Sequence, residues 1–199
     1  MAKRIVLAGV LGGIVMFFWG FVWHDLLPTG LAGLRSLPNE AAIVGPMKAS
    51  IPEAGLYIFP GLGVPDDAPF SEKKAAMQKM MQNLPNGPEG FLIYQPVGAP
   101  LSAKLLVTEG STNIIQALLM AFLVAQLGVR RFSSRVGFAF VVGLLASITT
   151  NISLWNFYRF PTPWVEAQIA SLVIGYFLVG MVVAAIVKTG AGKSATASA

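Results

Sequence analysis

The chain contains no cysteine and a single histidine. Without cysteine there are no disulfides, no thiolate metal sites, no cysteine nucleophile and no cysteine-borne lipid anchor. One histidine, His24, is too few for a multi-histidine metal or haem site within one chain. Charge is scarce as well. Only 12% of residues are charged, against about 25% in soluble domains. Nucleotide and catalytic motifs are missing too. There is no G-x-x-x-x-G-K-[ST], no G-x-G-x-x-G after a strand, no H-E-x-x-H and no G-x-S-x-G. No acidic or basic residue lies deep in an apolar run, which argues against a proton- or ion-coupled transporter.

What the chain has in excess is apolar surface. Of its 199 residues 55% are hydrophobic, and the mean hydropathy is +0.67. A membrane-spanning helix needs about 20 mostly apolar residues. Four stretches qualify: residues 5–22, 114–129, 136–155 and 169–187. The second is the weakest, because Asn113, Gln116 and Gln126 lie in it or at its edge. The first has a basic start, but its 18-residue run exceeds the roughly 7–15 residues of a signal-peptide core. It reads as an uncleaved anchor.

The net charge is +5, and its distribution is one of topology. Lys3, Arg4, Arg130, Arg131, Arg135, Lys188 and Lys193 occupy segments that contain no acid. Four spans place all of these segments on one side, and the positive-inside rule makes that side cytoplasmic. All nine acids fall on the other. The basic balance is therefore not a nucleic-acid footprint. Trp19, Trp23, Trp155 and Trp164 all map to the outer ends of spans or the outer loop, where amphipathic rings prefer the headgroup level. "LWNFYRFPTPW", residues 154–164, reads as an interfacial turn stopped by Pro161 and Pro163.

The expected organisation follows. Residues 1–25 form the first transmembrane helix, 26–112 an extracytoplasmic α+β segment, 113–188 helices two to four, and 189–199 a disordered cytoplasmic tail. Within the outer segment, residues 37–51 read as a helix with Asn39 as cap and Pro46 as a bend. Residues 55–61, 90–98 and 103–110 are short β-prone runs. Residues 71–84 form an amphipathic helix capped by Ser71, with Met77, Met80, Met81 and Leu84 along one stripe.

Four features carry candidate chemistry. His24 is followed by Asp25, but neighbours on a helix point about 100° apart and make no ready dyad. The plainer reading is that His24 marks where the first span reaches water. The methionine stripe has the thioethers that Cu(I) prefers, yet a flexible apolar packing face explains the same spacing and is favoured. The polar run "SITTNIS", residues 147–153, lies in the third span. Thr150 and Asn151 from it, with Asn156, Asn113, Gln116 and His24, are the candidate lining of an outward-facing ligand pocket. The alternative is hydrogen-bonding glue between helices. Finally, Ala8/Gly12, Gly9/Gly13, Gly143/Ser147 and Ser171/Gly175 are small residues four apart, which let backbones approach closely. Their partner, inside the bundle or in another chain, is open at this level.

The stretch "WGFVWHDLLPTGLAGLRSLPNEAAIVGPMKASIPEAGLYIFPG", with "LWNFYRFP", resembles a family of bacterial four-span integral membrane proteins that has no assigned activity. The resemblance implies a bacterial inner membrane and supplies no functional residues.

The reading is an all-α integral membrane protein, a four-transmembrane-helix bundle with a small α+β extracytoplasmic insertion between helices 1 and 2. Both termini are expected in the cytoplasm. The expected function is non-enzymatic: an accessory, scaffold or assembly subunit of a membrane complex. The alternative is a small binding or permeation protein whose polar outer pocket holds a lipid, a quinone-like molecule or another neutral ligand. No cofactor, metal or nucleic acid is expected. The expected partners are the bilayer and either further copies or another membrane protein. The topology has a direct test. A Ser133→Cys variant is expected to react with an impermeant thiol reagent only from the cytoplasmic side, and labelling of intact cells would reverse the orientation.

Overall fold

In the computed structural model, residues 1–188 are described; the expected tail at 189–199 lies outside them. The chain forms two compact units. One contains Met1–Leu34 and the chain from Leu101 onward, and the other is Arg35–Pro100.

The first unit is helical. Its long helices are α1 (Ala2–Phe21), α4 (Ala103–Gln126), α5 (Phe132–Asn156) and α6 (Thr162–Ile186). With a π-helical turn, Val22–Leu26, that extends α1, all four are long and apolar enough to cross a membrane. The intervening α2 (Glu40–Ser50) and α3 (Phe70–Asn83) belong to the second unit. Packing runs in series: α5 lies on α6, α6 on α1, and α1 on α4. The two outermost members, α4 and α5, touch only lightly. Their gap is bridged by Tyr176 of α6. Its hydroxyl donates to Gln116 Oε1 of α4 at 3.3 Å, and its Cβ lies over Gly143 of α5.

Small side chains set the spacing. A Cβ added to Gly13 would stand 2.5 Å from Ile114 Cα and 2.7 Å from Ile114 N. One added to Gly9 would stand 2.9 Å from Leu118 Cα. These two glycines let α1 and α4 meet backbone to backbone. On the other side, Gly175 receives Met16 of α1, and Gly180 faces Ala139 of α5. The small residues read from the sequence are thus used inside the bundle. Met120, Val124, Val179 and Val183 fill the core between them.

Arg135 is buried rather than looped out. It sits in the first turn of α5, and its Nη1 donates to the Val187 carbonyl at the end of α6. A guanidinium there answers the unpaired carbonyls and negative dipole of a helix C-terminus.

The second unit contains α2 (Glu40–Ser50), β1 (Gly55–Phe59), α3 (Phe70–Asn83) and β2 (Gly90–Tyr94). The strands pair antiparallel from Gly55↔Tyr94 to Phe59↔Gly90. The runs at 55–61 and 90–98 therefore contain strands as expected. The run at 103–110 does not; it forms the first two turns of α4. Ser102 Oγ accepts from Leu105 N at 3.4 Å and caps the helix there. Capping and helical continuation override a weak β-propensity, which depends on neighbours to pair with. Two caps differ as well. Pro69, not Ser71, is the cap of α3, and Asn39 stands at the cap of α2 without a side-chain bond. Asn39 adopts a left-handed conformation, φ 51°. The α2 helix runs through Pro46, leaving the exposed Ala42 carbonyl to solvent.

The glycine contacts make a stability prediction. Gly13→Leu forces α1 and α4 apart, because the obstructing atoms are backbone, and it is expected to cost about 1–3 kcal/mol. The check is the thermal unfolding midpoint in detergent, with Gly20→Ala as the control that stays near wild type. No atom outside its own helix lies within 4 Å of a Cβ at Gly20.

Candidate functional site

Residues 22–26 depart from α-helical geometry because the Leu27 N–H reaches back five residues to the Val22 carbonyl, at 3.0 Å. This wider turn extends α1 by one loop of chain and carries His24 and Asp25. Single π-turns of this kind recur at functional positions. Several contacts hold it in place. Trp19 donates from Nε1 to the Ser171 carbonyl of α6 at 2.9 Å. The Trp19 and Trp23 rings lie 5.3 Å apart. Thr29 Oγ1 donates to the Trp23 carbonyl at 3.2 Å. The following 3-10 turn, Pro28–Leu31, then folds back so closely that a Cβ at Gly30 would strike the His24 backbone.

The π-turn stands at one end of a groove along the α1–α4 seam. The wider part is a cleft of about 700 Å³ lined by Phe17, Phe18, Gly20, Phe21, His24, Asp25, Leu101, Leu106 and Glu109. A narrower part of about 240 Å³ continues down the seam past Ile14, Gly110 and Ile114 to Gly13. Phe17, Phe18 and Leu106 line both, so the two are one groove. Its floor and walls are aromatic and aliphatic. Its titratable groups are His24, Asp25 and Glu109, and no lysine or arginine lines it. Asn113, one turn behind Glu109, donates from Nδ2 to Glu109 Oε1 at 3.3 Å. A buried amide thereby orients an exposed carboxylate.

The six residues proposed from the sequence separate. His24 lines the groove and Asn113 supports it through Glu109. Gln116 accepts from Tyr176. Thr150 and Asn151 bond within their own helix. Thr150 Oγ1 donates to the Ala146 carbonyl at 2.9 Å, and Asn151 Nδ2 donates to the Ser147 carbonyl at 3.0 Å and to Thr150 Oγ1 at 2.9 Å. Such bonds to the preceding turn let polar side chains sit in an apolar helix without partners from neighbours. Asn156 is exposed near a hollow of about 430 Å³ with Trp155, Arg159 and Thr162. Glu109, Phe17 and Phe18 are groove residues that sequence reading left unmarked. Recognising Ser102 as a helix cap would have brought Glu109 onto the α1–α4 seam. Along the methionine stripe of α3, Met77 and Met81 are exposed. Among the described residues, no group of three or more His, Asp or Glu side chains is placed to hold a metal ion.

Because the His24 side chain is exposed at the rim, His24→Ala is expected to leave folding and membrane insertion intact, as read by size-exclusion profile and membrane fractionation. Aggregation or degradation of the variant would make His24 a structural residue instead. Comparison with known proteins finds no matching family model, no matching curated protein and no matching solved structure. Four helices long and apolar enough to cross a membrane fit a four-span membrane protein.

Proposed function

We propose that this chain is a multi-pass protein of a bacterial inner membrane with both termini cytoplasmic, and that it acts without catalysis as an accessory or assembly subunit of a membrane complex. One observation carries this reading. In the unit Arg35–Pro100 the sole buried residue among the described ones is Tyr94, at 9% exposure. The antiparallel register sets Leu56 opposite Ile93 and Ile58 opposite Phe91, which gathers four apolar side chains on one sheet face. Leu56, Ile58 and Ile93 are 67%, 54% and 77% exposed. A unit this small with so little core of its own gains stability by covering such a face, and contiguous exposed apolar patches mark interaction sites. The small-residue faces of the long helices are occupied within the bundle, so the sheet face is the better docking surface.

Native mass spectrometry of the protein released gently from its own membranes tests the proposal. A mass above one chain is expected, and Leu56→Ser with Ile93→Asp is expected to return it to the single-chain mass. A wild-type chain that emerges alone overturns the accessory role. A second reading, a small binding protein, is favoured by the groove at His24 rather than by the polar run around Asn151.

A further inference from the structure

The groove along α1 and α4 has a length and a charge pattern that together specify an occupant. From Gly13 to His24 it follows eleven helical steps, about 16 Å. That is about half of the roughly 30 Å hydrocarbon core of a bilayer, the depth of one leaflet. Over that length the walls are Ile14, Phe17, Phe18, Leu106 and Ile114, which suit an acyl chain. At the wide end two carboxylates, Asp25 and Glu109, stand with one imidazole and no cationic side chain. A volume of about 700 Å³ is within the range of specific ligand sites.

We propose that this groove binds a membrane phospholipid with a primary ammonium headgroup, of the phosphatidylethanolamine class. The acyl chain lies along Phe17, Phe18 and Leu106. The ammonium group donates to Glu109 and Asp25 in charge-assisted hydrogen bonds. His24 supplies an N–H donor to the lipid phosphate. Asn113 is a positioning residue, fixing the Glu109 carboxylate by a bond from one turn further along α4. An anionic headgroup such as phosphatidylglycerol meets two carboxylates without a cation to offset them. A choline headgroup has the charge but no N–H to donate. The inference rests on the second functional reading, that of a binding protein, and is independent of the accessory role.

The test uses the full chain in detergent, with native mass spectrometry after addition of phosphatidylethanolamine, phosphatidylcholine or phosphatidylglycerol of matched acyl chains. A one-to-one adduct is expected to be retained best with phosphatidylethanolamine. Glu109→Gln and Asp25→Asn are each expected to lower that retention roughly threefold, the worth of an exposed ion pair, and the double variant to erase the headgroup preference. Gly20→Phe fills the cleft from a position whose added side chain starts in open space, so it folds and is expected to lower adduct retention roughly tenfold for every lipid. Equal retention of all three lipids by the wild type, with loss in Gly20→Phe, overturns the headgroup assignment while leaving a binding groove. Retention unchanged by Gly20→Phe overturns the groove itself.

Discussion

The close approach of α1 and α4 is the contact on which the rest of the molecule depends. At Gly9 and Gly13 there is no room for a side chain, because the backbone of Leu118 and Ile114 occupies the space. Helices in an apolar surrounding gain nothing from burying more apolar surface, since the alternative neighbour is equally apolar. They associate by tight van der Waals fit, which small residues permit. The same device recurs where Gly175 accepts Met16 and Gly180 accepts Ala139. The consequence is a series of helices with α1 and α6 in the middle, each packed on two sides.

That contact also creates the groove. Toward Gly13 the helices are close and the groove is narrow; toward His24 it widens into the larger cleft. The widening coincides with a change in side-chain size, from glycine at positions 9 and 13 to phenylalanine at 17, 18 and 21. Phenylalanine rings line the space there. The π-turn then places two titratable side chains at the mouth, and Glu109 arrives from the opposite helix. Packing that closes one end of the seam thus leaves a cleft at the other.

The polar run in α5 carries local hydrogen bonds that spacing alone does not reveal. Ser147, Thr149, Thr150 and Asn151 look like a cluster that must face either a ligand or a neighbouring helix, given the cost of polar groups in an apolar setting. Each donates to a carbonyl three or four residues back in its own helix. The cost of the donor groups is met locally. Helix α6 is different: Tyr176 reaches across to Gln116, the one polar residue of the six that is answered by another helix.

Much of the architecture was legible in the chain itself. The four long apolar helices, the two strands at 55–59 and 90–94 and the helix at 70–83 follow from periodicity, composition and flanking proline or glycine, all of which are local signals. The start of α4 was not legible, because residues 103–110 suit either a strand or a helix and a single capping serine decides between them. The groove lay further out of reach. It depends on which face of α1 meets which face of α4, and that choice is made by glycine-to-backbone contacts between residues about a hundred positions apart. Sequence determined that His24 stands at the end of an apolar helix. Only the tertiary structure put Glu109 on the same cleft, since that meeting is a property of helix packing and not of the order of residues.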